Sequence, residues 1–177
     1  LGVVPDYVGP TLEKLGIPGF CIPLFLREPD WRFSDPKKYP RLSIAQPATH
    51  DHPPLAAIWA DYWENIDAGR HVEHSRWDLK RIMWFCGLND EEPPREFTDR
   101  IHEAFTRAVM NSNSWLVVFQ ITDVFGQTAR FNVPGSAATS NWSNRLDHTV
   151  TQLDSDPQLL ARTKTFSRLA QASGRTF

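Results

Sequence analysis

Three short apolar runs, Phe20–Phe25, Leu42–Gln46 and Trp115–Ile121, read as strands in a chain whose other periodic segments repeat at helical spacing. The last run is interrupted only by Gln120, as expected of a strand covered on both faces. Helical segments stand between and after these runs, and strands alternating with helices predict a parallel sheet. Three parallel strands cannot close on themselves, and left open they would be poorly covered. The chain therefore reads as part of a larger α/β unit.

The helices are legible from their apolar stripes. Pro5–Gly16 carries Val8, Leu12 and Leu15 on one side, with Gly16 placed to close it. After Pro53-Pro54, Leu55, Ile58, Trp59, Tyr62 and Trp63 recur at three- and four-residue intervals. Ser75 with Asp78 suggests a second start, leading through Trp77, Ile82, Met83 and Phe85 to a stop at Gly87. A third stripe, Phe97, Ile101, Ala104, Phe105 and Ala108, follows Pro93-Pro94. Asp156-Pro157 opens a last helix with Leu159, Leu160, Thr163, Phe166 and Leu169. Arg27 to Pro40 is charged and proline-rich and predicts an irregular loop, while Pro23 bends or ends the first strand. The order predicts one segment over 1–177, about three-eighths of a (β/α)8 TIM barrel.

With 41% hydrophobic and 23% charged residues and a net charge of −2, the composition predicts a soluble globular protein. No run of eighteen apolar residues predicts a membrane span, and no basic stripe predicts a nucleic-acid partner. Cys21 and Cys86 lie in apolar segments and read as buried free thiols. The chain opens on Leu1 without a charged leader, which predicts a cytoplasmic protein whose beginning is truncated. Seven tryptophans and eleven phenylalanines supply flat faces of the kind that receive sugar rings.

The densest group of chemistry-bearing residues is Thr49-His50-Asp51-His52, just past the second strand and just ahead of a helix. In a (β/α)8 barrel that edge gathers the active-site groups. Asp51 could accept hydrogen bonds from paired hydroxyls and His50 could donate one. Equally, Asp51 could cap the helix that follows. A metal centre on His50, Asp51 and His52 is disfavoured, because adjacent residues on a turn seldom converge on one ion. Gln120 and Asp123 end the third strand at matching depth, where they face a ligand or serve as loop and cap groups. Asn132, in Asn132-Val133-Pro134-Gly135, could meet a sugar hydroxyl or simply shape its turn. Glu28 and Asp30 could form a carboxylate pair, but solvation of a charged loop accounts for them. No nucleophile elbow and no glycine-rich phosphate loop is present.

Several runs together carry a resemblance: Leu15-Gly16-Ile17-Pro18-Gly19-Phe20, Tyr39-Pro40-Arg41-Leu42-Ser43, and Ala48-Thr49-His50-Asp51-His52-Pro53-Pro54. Further along stand Phe119-Gln120-Ile121-Thr122-Asp123-Val124-Phe125-Gly126, Asn132-Val133-Pro134-Gly135 and Asn141-Trp142. In this order the chain resembles the 4-α-glucanotransferases (amylomaltases) of glycoside hydrolase family 77. It differs from the better-known bacterial forms in continuing His-Pro-Pro after Asp51, where they have Asn.

The resemblance implies that the three strands are barrel strands six, seven and eight. It implies a retaining double displacement on α-1,4-glucans such as maltodextrins, with no cofactor and no metal. Asp51 falls on the family's third catalytic carboxylate and His50 on a neighbouring substrate-binding histidine. Gln120, Asp123 and Asn132 are expected beside the substrate as well. The attacking aspartate and the acid/base glutamate match no position here, and Leu1-Gly2 resembles the residues directly after the Glu-Asp pair. A partner segment carrying the rest of the barrel is thereby implied, and the isolated chain is expected to be inactive. The alternatives are an α-glucan hydrolase of the same barrel superfamily and a non-catalytic carbohydrate-binding or structural module.

Overall fold

The computed structural model describes residues 4–136, 139 and 141–175. Helices α1 (Val8–Lys14), α2 (Leu55–Asp67), α3 (Val72–Phe85), α4 (Asp99–Met110) and α7 (Pro157–Ala172) are joined by the short helices α5 (Ile121–Val124) and α6 (Val150–Leu153). Strands β1 (Gly19–Cys21), β2 (Ser43–Ala45) and β3 (Leu116–Val117) form a parallel sheet in the order β1-β2-β3. Gly19 stands opposite Ser43, and Ile44 opposite Leu116. A small parallel sheet with flanking helices is thus present, as part of an α/β barrel-like fold.

The strands are shorter than their apolar runs. Phe20–Phe25 ends as a strand at Cys21. Pro23 has no N–H to give a ladder, and Phe25 N–H turns back onto the Ile22 carbonyl at 3.0 Å. In the Trp115–Ile121 run, sheet hydrogen bonds extend from Trp115 N–H on Arg41 O to Val118 N–H on Ala45 O. Gln120 then becomes the extended residue ahead of α5, so Ile121 is helical rather than strand. The expected start of α3 near Ser75 also moves. The chain turns through Gly69 and His71, both at positive φ, and the helix begins at Val72.

Two different crossovers join the parallel strands. From β2 to β3 the chain passes through α2, α3 and α4, whose buried stripe of Trp59, Leu79, Ile82, Met83, Ile101, Phe105 and Val109 forms the centre of the core. From β1 to β2 there is no α-helix, only a loop with a 3-10 turn at Pro36–Lys38. A parallel crossover must still cover the sheet, and here side chains of the loop do so. Phe33 and Tyr39 are buried, Phe33 meets Phe85 edge-on at 6.0 Å, and the Arg27 guanidinium lies 4.3 Å from the Phe33 ring centre. An antiparallel bridge between Arg27 and Phe33 holds this loop in a hairpin.

The helix ends follow capping chemistry. Thr98 Oγ1 accepts from Ile101 N–H, and the Asp156 carboxylate accepts from Gln158 and Leu159 N–H with Pro157 in the first turn. Beyond α7, Arg175 donates to the carbonyls of Met110, Ser112, Ser114 and Trp115, tying the last helix to the entry of β3. Of the two free thiols, Cys21 is buried and Cys86 half-buried.

Phe20 is 66% exposed and Trp115 58% exposed, with Leu116 and Val118 also open on the sheet. An uncovered sheet with large apolar side chains is a template for association. The isolated 177-residue chain is expected to self-associate on concentration. Sedimentation velocity across a concentration series checks this, and a monomer at every concentration with a cooperative melt is the contrary result.

Candidate active site

The loop after β2 is shaped by its own first residue. His52 N–H donates to the Thr49 carbonyl at 3.0 Å, Asp51 N–H donates to Thr49 Oγ1 at 3.3 Å, and Thr49 Oγ1 lies 2.7 Å from His52 Nδ1. Burial holds the His52 imidazole below its ordinary pKa, and its ring packs edge-on to Phe25 at 4.8 Å. The ring is thus a wall of the loop. His50 and Asp51 point the other way, exposed by 60% and 33% at their side chains, with His50 Nε2 3.3 Å from Asp51 Oδ1.

Asp51 does not cap α2. The residue ahead of that helix is Pro54, which has no side-chain cap, and Leu55 N–H instead donates to Asp123 Oδ1 at 3.0 Å. Asp123 is buried, and burial pushes its carboxyl up to about 6 against the opposing effect of Leu55 N–H. Its carbonyl accepts from His102 Nε2 at 2.6 Å. Because a carbonyl only accepts, that imidazole carries its proton on Nε2; burial holds its pKa below the ordinary value.

Asn132 and Gln120 each reach back to the β2 loop. Asn132 Nδ2 donates to Asp51 Oδ1 at 2.6 Å, and Gln120 Nε2 donates to the Thr49 carbonyl at 3.0 Å. Of the five residues singled out in the sequence, His50, Asp51 and Asn132 thus converge at one exposed point. Gln120 supports their loop from behind, and Asp123 lies inside at the start of α2. Glu28 and Asp30 are engaged elsewhere, in surface ion pairs with Lys38 and Arg32.

Two further residues, whose place there the local sequence does not signal, belong to the cluster. Arg130 Nη2 donates to the Asp51 carbonyl and Arg130 Nε to the Asn132 carbonyl, both at 2.7 Å, so one guanidinium clips the two loops together. Nothing local distinguishes this arginine in a turn-rich stretch, because its acceptors lie across the fold. Trp142 brings its ring to 5.3 Å from that of His50. The Asn141-Trp142 pair stands out in the sequence, but nothing local signals its position beside His50. Among the described residues, no three His, Cys, Asp or Glu side chains are grouped to hold a metal ion.

What this arrangement can do is hold a polyhydroxylated ligand. It offers a half-exposed carboxylate as acceptor, an imidazole and an amide beside it, and an aromatic ring alongside. The profile of the family described as 4-alpha-glucanotransferase, glycoside hydrolase family 77, matches residues 1–151. This chain belongs to that family. The matched stretch of this 4-alpha-glucanotransferase family member includes every residue of the cluster.

Individual relatives agree. The chain is 27% identical over 186 residues to 4-alpha-glucanotransferase DPE2 of Oryza sativa subsp. japonica, covering 100% of this chain and 18% of that protein. It is 28% identical over 161 residues to a 4-alpha-glucanotransferase of Chlamydia caviae, covering 86% of this chain and 28% of that one. In fold it is similar to amylomaltase from Corynebacterium glutamicum, with a TM-score of 0.75 at 20% identity over 99% of this chain and 28% of the other. Amylomaltase from Streptococcus agalactiae, solved in complex with acarbose, gives a TM-score of 0.67 at 19% identity, covering 100% and 31%. The chain therefore spans between about a fifth and a third of the length of these relatives. Among the described residues, no helix is long and apolar enough to cross a membrane.

Proposed function

We propose that residues 1–177 supply strands six to eight of a (β/α)8 barrel and the sugar-holding side of a 4-α-glucanotransferase site. One observation carries the reading. The Asp51 carboxylate stands half-exposed beyond a strand end, fixed by Asn132 and flanked by His50, while the helix that follows it is capped by Asp123. A carboxylate that is held in place by Asn132 but caps no helix, at the mouth of a parallel sheet, keeps an oxygen available to a ligand.

The chemistry is a double displacement. An aspartate attacks the anomeric carbon of an α-1,4-glucan, and the bond from that carbon to the leaving oxygen breaks as a glutamic acid gives that oxygen its proton. The 4-hydroxyl of an acceptor glucan then gives its proton to the glutamate and displaces the aspartate. Nucleophile and acid/base would come from barrel segments outside 1–177. Within this segment, Asp51 accepts from hydroxyls of the reacting sugar and holds them more tightly as positive charge develops at the ring. His50 and Asn132 fix the same sugar, and Gln120 and Arg130 hold the loops that present them.

Product analysis on maltotriose with the full-length protein tests this. Oligomers both longer and shorter than the substrate are expected. Accumulation of glucose and maltose alone indicates a hydrolase, and an unchanged substrate indicates a module without chemistry of its own.

A further inference from the structure

We propose that Trp142 is a stacking platform for a pyranose ring, beside the sugar whose hydroxyls meet His50 and Asp51; this rests on the glucan-binding reading above. The indole is 62% exposed. Its ring centre lies 5.3 Å from that of His50 with the planes tilted by 45°, and His50 Nε2 is in turn 3.3 Å from Asp51 Oδ1. Aromatic face, imidazole edge and carboxylate thus follow one another across a short surface. That sequence suits a sugar, whose C–H face is apolar and whose rim carries hydroxyls.

The backbone at Trp142 argues for the same use. Its φ is +63°, a left-handed conformation that a residue with a Cβ adopts at a cost. Such conformations persist where surrounding contacts enforce them, often at ligand clamps. Here the contacts are specific. Trp142 N–H donates to the Phe131 carbonyl at 2.7 Å. The Asn141 side chain brackets the adjoining turn, with Oδ1 accepting from Val133 N–H at 3.0 Å and Nδ2 donating to the carbonyls of Val133 and Ser136 at 3.2 and 3.1 Å. The same turn begins at Asn132, which holds Asp51. The Asn-Val-Pro-Gly and Asn-Trp elements are therefore one device that sets an exposed indole at a fixed place relative to the carboxylate.

The test uses the full-length protein with maltotetraose as the probe. Trp142→Ala is expected to raise KM by about five- to tenfold, the usual size of an aromatic contact, with kcat changed less. Trp142→Phe should recover most of the loss, which a purely structural role for the loop would not explain. Maltotetraose should also perturb the tryptophan fluorescence of the wild type, and that change should shrink in Trp142→Phe. This second readout stands if the alanine variant does not fold. A KM for the folded alanine variant within twofold of the wild type, or an undiminished fluorescence change in Trp142→Phe, overturns the proposal while leaving the glucan reading in place. A wild type that neither binds nor rearranges maltodextrin overturns both.

Discussion

Replacing Asp51 by asparagine in the full-length protein is expected to lower kcat for maltotriose disproportionation by a hundred- to a thousandfold, roughly the loss seen when one preorganised polar contact to a transition state is removed. Asparagine keeps the size of the side chain and an acceptor oxygen for the Asn132 amide, which now meets Asp51 Oδ1 at 2.6 Å. It also leaves α2 untouched, because Leu55 N–H belongs to Asp123. The change is therefore almost purely the loss of a negative charge. That charge matters most when the reacting ring carries positive charge, so the loss should fall on kcat more than on KM. A thermal melt serves as the folding control. A variant that melts like the wild type and keeps more than about a third of its kcat, far above the loss expected for such a contact, would remove Asp51 from the transition state.

What could be read in advance follows from how far each signal reaches. The α2 and α4 stripes repeat over many residues of one element, so Trp59, Ile101 and Phe105 could be placed in the core from spacing alone. The Thr-His-Asp run was legible because strand, site and helix follow one another directly in the chain. Strand ends were not, since apolar character does not record where hydrogen bonding stops. Phe25 and Ile121 are as apolar as a strand residue, yet one sits in a turn and the other opens α5. Asp123 and Arg130 were harder still, because their partners lie 68 and 79 residues away. Local sequence shows at Asp123 only a carboxylate after a strand, which fits a ligand contact and a helix cap equally well.

The burial of Asp123 lets these two roles be separated by pH. Its carboxyl is pushed up to about 6 from an ordinary 3.8 by burial, with Oδ1 on Leu55 N–H and Oδ2 without a hydrogen-bond partner among the described residues. Between those pH values the folded protein keeps a proton that the unfolded chain has released. Stability therefore falls as pH rises from about 4 to about 6, and the penalty is complete above the folded value. At about 1.4 kcal/mol per pH unit, the span amounts to about 3 kcal/mol. Asp123→Asn cannot titrate. Its carboxamide oxygen can still serve Leu55 N–H, while its amide hydrogens gain no acceptor, a cost of about 1–3 kcal/mol that does not vary with pH. Near pH 4 the variant should accordingly be the less stable protein, and by pH 7 it should have drawn level or ahead. Taking the difference between the two proteins cancels every other group that titrates in this window. Urea unfolding of the full-length wild type and Asp123→Asn, measured from pH 4 to pH 7, should show that difference change by about 3 kcal/mol. A difference that stays constant would mean that the carboxyl titrates at its ordinary pKa and that burial does not raise it. Kinetics complete the separation: as a cap Asp123 can be replaced by Asn with kcat nearly unchanged at pH 7, whereas a residue that touches the sugar cannot.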